Sequence, residues 1–322
     1  MGFGGCFALA LCVTTATGFA ATSPATPSSL DLISAGRVDD AIQQLERQVS
    51  QSSSDAESYN LLCRAYFMIE EWDRGIAACE RARDLNPQKS LYHLWLGRIY
   101  GEKADRAGFL SAAGLARKVR ISFERAVELE PKNWEARTDL AEFYMEAPGI
   151  VGGGKDKAVQ QADAILPLNP GMAHWIRGRI AEKNKDLGEA EREYREAIES
   201  SQSGARAWLD LAIFFRHDNR LDEMEQTLHQ LESCRVDRRE SLMDGASLLL
   251  RTGRNPELAT RLLHRYLASP VEQGPAFKAH EMLGQFLEKQ GDRKAAAEEY
   301  RKALALAHSY ARAKEDLHRI EH

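Results

Sequence analysis

Gly149, Gly154 and Lys155 lie in the segment APGIVGGGKDKA, Ala147 to Ala158, at nearly the spacing of a loop whose amides and lysine cradle phosphate. Such a loop would bind a nucleotide. Asp156, however, stands where the magnesium-binding hydroxyl belongs, and the preceding DLAEFYMEA reads as a helix rather than a strand. The preferred reading is therefore a lengthened turn, its glycines supplying positive φ and Lys155 and Asp156 opening the next helix. An anionic-ligand or nucleotide-responsive regulator using the Gly149 to Lys155 turn is kept as the second reading.

Little else in the chain points to chemistry. Among the nine histidines, His93, His174 and His280 share a slot with Trp208, three residues before a recurring leucine position, and read as packing groups. There is no HExxH pattern, Ser/His/Asp set or pair of catalytically spaced carboxylates, so the expectation is no enzyme activity, no cofactor and no metal. Of five cysteines, Cys6 and Cys12 fall in an apolar N-terminal stretch, leaving Cys63, Cys79 and Cys234 without metal-binding spacing.

The 322 residues are 43% hydrophobic and 28% charged, enough to fold around a core. Lys plus Arg total 43 against 48 Asp plus Glu, a net charge of -5 that offers no general field for nucleic acid. Residues 1–21 carry no charged side chain and end in small residues, which predicts a signal peptide cut after Ala20 or Ala21. The lysine or arginine usual near such a start is missing. Thr14, Thr15 and Thr17 break a stretch already short of the roughly 20 residues a bilayer needs, so no stable membrane span is expected. Residues 22–29 form a Pro/Ser/Thr linker, and the expected destination is exported, periplasmic or secreted.

The elements that organise the rest emerge from internal repetition. EWDRGIAACERARDLNP (Glu71 to Pro87) echoes VRISFERAVELEP (Val119 to Pro131) and KDKAVQQADAILPLNP (Lys155 to Pro170). LGEAEREYREAIESS and QGDRKAAAEEYRKALALAH keep the same A-x3-aromatic-x2-A spacing. Upstream of each lies a helix with its own markers, among them Leu62, Leu96, Leu140, Leu211 and Leu283. The pattern predicts antiparallel helix pairs. Gly97 is expected to face the segment with Ala126 and Gly284 to face Ala296, while Tyr66, Tyr100, Tyr194 and Tyr300 fill the wedge toward the next pair.

These motifs resemble the tetratricopeptide repeat family, whose unit is about 34 residues long with W-x2-L-G-x2-Y followed by A, F, A and P. The APGIVGG turn is similar to one in exported bacterial members. The resemblance implies an all-α, right-handed superhelical solenoid of antiparallel helix pairs. Residues 30–309 would hold about seven full pairs after a partial first one, and residues 310–322 a capping helix. It also implies a non-catalytic scaffold binding a protein or peptide on its concave face, lined by first-helix residues near each marker leucine. Those are Asn60, Arg64, Phe67, Leu94, Arg98, Thr138, Glu142, Trp175, Arg179, Leu209, Ile213, Arg216 and Gln285.

Arg64, Arg98 and Arg179 recur at one slot as a row of cations, and with Phe67 and Trp175 they would suit an acidic segment. The Lys/Asn arrangement that holds a terminal carboxylate in some members is absent. Cys63 and Cys79 occupy facing slots of one pair, where a bridge is geometrically open to them, although two small buried hydrophobes is the preferred reading. The lengthened unit Gly101 to Phe123 carries Lys103, Arg106, Arg117, Lys118 and Arg120, read as a solvated basic face, with acidic-segment docking as the alternative. Ala112, Ala113, Gly114 and Ala116 suggest that another helix packs closely there.

Overall fold

The computed structural model describes residues 27–268 and 275–322, so the signal peptide and most of the linker lie outside the described residues. Every regular element described is helical. A short leading helix, α1 (Ser29–Ser34), and the full-length α2 (Val38–Gln51) precede α3 (Ala56–Met68) with α4 (Trp72–Leu85), and α5 (Ser90–Asp105) with α6 (Phe109–Leu129). Then come α7 (Trp134–Glu146) with α8 (Lys155–Ile165), α9 (Pro170–Lys183) with α10 (Leu187–Ser200), and α11 (Ala205–His217) with α12 (Leu221–His229). The last elements are α13 (Glu240–Thr252) with α14 (Pro256–Leu267), α15 (Ala276–Lys289) with α16 (Arg293–Leu306), and the lone α17 (Ala311–Glu321). One buried core runs through successive pairs, giving the superhelical solenoid of antiparallel helices expected from the repeats.

Local chemistry sets where the helices start and stop. Asp55, Asn133, Asn169, Asp186, Asn255 and Asp292 each accept the backbone amide three residues on, satisfying a donor the helix cannot. Ser28 and Asp31 form a reciprocal capping box, so the first helix starts at Ser29, inside the span read as linker. Six turns within pairs reverse through a left-handed residue: Gly36, Glu70, Lys185, Asn219, Gly253 and Gly291. For Glu70 and Lys185 that conformation costs about 1–2 kcal/mol.

Helix crossings differ from the sequence-based expectation. A Cβ on Gly97 would come 2.4 Å from the Phe123 ring, and one on Gly284 would come 2.4 Å from Tyr300. Each glycine therefore makes room for a ring: Phe123 lies in the segment expected opposite Gly97, whereas opposite Gly284 stands Tyr300 rather than Ala296. Gly178 does the same for Tyr194 at 3.1 Å. The tyrosines also divide. Tyr194 and Tyr300 are seated within their own pairs, with Tyr194 also meeting Phe214 of the next, whereas Tyr66 and Tyr100 reach backward. The Tyr66 hydroxyl donates to Glu46 at 2.7 Å, Tyr100 to Glu80, and Tyr144 to Glu124 at 2.9 Å, each on the preceding second helix. Burial first, and then the accepting carboxylate, pushes the Tyr144 hydroxyl up to about 12, which keeps it a donor.

Cys63 and Cys79 are joined by a disulfide between α3 and α4, with Cα atoms 5.1 Å apart. They are not the unlinked hydrophobes favoured from sequence. Both are fully buried, so the tie lies within the pair's core.

Candidate protein-binding groove

Counting from each marker leucine separates the first-helix positions into two sets. Two residues before the marker stand Asn60, Leu94, Thr138, Trp175 and Leu209, each at most 4% exposed. Adjacent first helices close over them. Two residues after it stand Arg64, Arg98, Arg179 and Ile213, half-buried, and Glu142, exposed. This second set, to which half-buried Gln285 after Leu283 also belongs, faces the concavity, with half-buried Phe67 and Arg216 one turn on. Trp175 is thus a core residue rather than an open anchor, and Asn60 is wholly enclosed, its amide nitrogen and oxygen both without hydrogen-bond partners.

Sequence reading missed the position immediately before the marker, where Trp95, Asp139 and Asp210 stand. The side chain two places after one marker reaches the residue one place before the next. Arg64 of α3 lies over Trp95 of α5 at 5.2 Å, and Arg98 of α5 donates to Asp139 of α7 at 2.6 Å. The recurring arginine slot could have revealed this partner slot, since both repeat with the unit.

Around α3 and α5 this interlock builds an aromatic and cationic patch. Arg98 also lies over Trp95 at 5.1 Å, so two guanidiniums share one indole. Phe67 meets Trp72 and Trp95 edge-on, each at 5.6 Å, and Arg106 lies over Trp72 at 4.6 Å. Arg98 is neutralised by Asp139 and, at 3.5 Å, Glu135. Arg64 forms no ion pair among the described residues, and its enclosed Nε has no hydrogen-bond partner. Burial lowers its pKa, Glu57 opposes that shift, and Arg98 adds to it.

Around α9 and α11 the same residue types recur with different neighbours. Arg179 and Arg206 lie over Trp175 at 5.7 and 5.3 Å. Arg179 pairs with Glu146 at 2.7 Å, and Arg206 lies 3.5 Å from Asp210. The predicted row of three cations is therefore neutralised at Arg98 and Arg179. Burial pushes the Asp210 carboxyl up, although Arg206, Arg238 and Arg179 pull it down. Arg216 is half-buried with its Nε unpartnered, and Gln285 donates to Glu281 and Asp316 at 2.7 and 3.1 Å.

The glycine-rich turn has its amides committed elsewhere. The amides of Val151 and Gly153 donate to Pro148, Gly152 to Gly149, and Gly154 to Tyr144, leaving none of the four to cradle phosphate. Gly153 has no room for a side chain, since a Cβ would come 1.8 Å from the Ala147 oxygen. Lys155 donates to Asn184 of the neighbouring pair.

On the lengthened unit, Lys103 pairs with Asp73, Arg106 with Glu102 and Arg120 with Glu124, while Lys118 lies over Tyr100 at 4.9 Å. Nothing lies within 4 Å of a Cβ built on Gly114, so the expected close helix is absent there among the described residues. His174 and His280 bond Glu193 and Glu299, each at 2.7 Å, and His93 bonds the Pro87 carbonyl at 2.9 Å. Among the described residues no cluster of His, Cys, Asp or Glu could hold a metal, and no helix is long and apolar enough to cross a membrane.

Stacked helix pairs with a lined concavity define an α-helical repeat solenoid. The family model described as tetratricopeptide repeat matches residues 29–90, 150–203, 177–227 and 243–311, over half of the chain. The chain belongs to the tetratricopeptide repeat family. No curated protein sequence matches it. Among solved structures, yeast Tom70 is similar with TM-score 0.53 and 15% identity, over 94% of this chain and 65% of that one. A tetratricopeptide repeat protein from Parabacteroides merdae matches with TM-score 0.45 and 14% identity, over 91% and 96% of the two chains. A thermophilic repeat protein of Thermus thermophilus matches with TM-score 0.48 and 17% identity, over 58% and 95%.

Proposed function

We propose that this chain is a non-catalytic scaffold that captures an extended acidic segment of a partner protein on the α3 and α5 stretch of its concave face. Membership of a repeat family whose stacked helices present binding surfaces supports the general reading. The observation that carries the acidic preference is Arg64, held against Trp95 beside Phe67 with no carboxylate paired to it. A partner carboxylate there would gain forked hydrogen bonds, and an adjoining apolar side chain would cover the rings. Export remains part of the proposal, supported by the apolar N-terminal stretch and by a disulfide suited to an oxidising compartment.

The test is fluorescence anisotropy with a labelled peptide of alternating glutamate and leucine, against its lysine counterpart. The wild-type chain should bind the acidic peptide more tightly, increasingly so at low salt, and Arg64→Glu should abolish the preference. Equal binding by wild type and Arg64→Glu would remove the site from α3. For export, the protein recovered from its host should begin between Ala20 and Ser23. An intact Met1 on soluble cytoplasmic material would reject it.

A further inference from the structure

The two ends of the array touch each other. At the α1–α2 turn, Gly36 (φ 74°) lies so near the first residue of α15 that an added Cβ would come 3.0 Å from the Ala276 Cβ. Beside it, Asp39 in the first turn of α2 accepts the Ser309 amide at 3.0 Å and also the Ser309 hydroxyl, and His308 Nδ1 lies 2.9 Å from it. A second contact forms at the end of α3. Glu70 receives Lys278 of α15 at 3.2 Å and Arg312 of α17 at 2.9 Å. These partners are more than 200 residues apart in sequence, yet the Asp39 and Glu70 side chains are only 11% and 20% exposed.

Glu70 is informative because of its backbone. Its left-handed turn position is filled by glycine at Gly36, Gly253 and Gly291 and by Lys185 and Asn219 elsewhere, and Glu70 holds its carboxylate there at φ 66°. Its two cationic partners, Lys278 and Arg312, both belong to the far end of the array.

We propose that Asp39 and Glu70 form an acidic clasp that gathers Ser309, His308, Lys278 and Arg312 and closes the array into a ring. Screening or removing these charges opens the ring into an extended superhelix. In the closed form a partner reaches the concave face by a free end or after the clasp parts.

Carbodiimide coupling of the intact chain tests the closure, because it joins a carboxylate to an amine only where the two already touch. The monomer fraction should yield a linked peptide pair containing Glu70 and Lys278. That yield should fall severalfold in Asp39→Asn, which leaves both coupled residues in place, and again at about 1 M salt, where the screening length is only about 3 Å. In solution scattering the radius of gyration should rise in Asp39→Asn/Glu70→Gly with circular dichroism unchanged, because glycine suits the turn at Glu70. Linkage confined to a dimer fraction would overturn the ring and assign these surfaces to contact between copies. No linkage in the wild-type monomer, together with unchanged scattering in the double variant, would overturn it as well.

Discussion

Two places in this array set an indole between arginines, yet they have different surroundings. Around Trp95 the second arginine is neutralised by Asp139 while Arg64 keeps no ion-pair partner among the described residues, and the indole stays half open. Around Trp175 the indole is buried at 4%, and Glu142, Glu146 and Asp210 surround the guanidiniums. Residue types alone would rank the two equally. What distinguishes a surface able to take a partner from a packed joint is the charge left uncompensated and the ring left uncovered.

The largest effect should separate the two tryptophans. Trp175→Ala should cost about 3–5 kcal/mol in urea unfolding because it empties a closed site, whereas half-exposed Trp95→Ala should cost about 1–2 kcal/mol and mainly abolish acidic-peptide capture. Equal losses of stability would break the contrast. The next effect concerns the covalent tie behind the first cluster, which the second lacks. Cys63→Ala/Cys79→Ala should lose about 3 kcal/mol, the scale for so short a closed loop, and adding reductant should lower wild-type stability alone.

Arginine substitutions should give smaller effects on stability and a sharper contrast in binding. Arg64→Ala should change unfolding by about 1 kcal/mol or less while weakening acidic-peptide binding in anisotropy. Arg179→Ala should instead lower stability and spare that binding, because it removes a cation that Glu142 and Glu146 both feel.

The smallest effect is a pH dependence. Burial raises the carboxyl of Glu281, which is 6% exposed, above its ordinary value in the folded state, so the native chain holds this proton more tightly than the unfolded chain. The resulting destabilisation is absent below the unfolded value and grows as pH rises through the folded one. Glu281→Gln should therefore raise Tm at neutral pH, with the gain shrinking as pH falls toward about 4. A gain independent of pH would mean that Glu281 ionises as freely as a surface carboxylate.

Repeat spacing made the helix pairs legible, because small and aromatic residues recur wherever two helices must cross. It also placed Arg64, Arg98 and Arg179 at one geometric slot. It did not disclose their partners, since Trp95 and Asp139 lie a unit further on and meet the arginines only through the curvature of the stack. Trp175 was misplaced for the same reason. A helical wheel puts it on the inner face, but the tight approach of neighbouring first helices covers that position. The disulfide partners were visible from their facing slots, whereas their linkage depends on the proximity of α3 and α4.

The tyrosine bonds give the chain a direction. Tyr66, Tyr100 and Tyr144 each reach toward a glutamate that precedes them in sequence. As the chain leaves the ribosome, each of these hydroxyls therefore meets an acceptor made before it, and a unit can dock without waiting for its successor. Shortening the chain from its far end keeps these three bonds intact. Removing the leading helices, by contrast, takes Glu46 away from the Tyr66 hydroxyl and leaves it only Arg74, so trimming the array costs different bonds at its two ends.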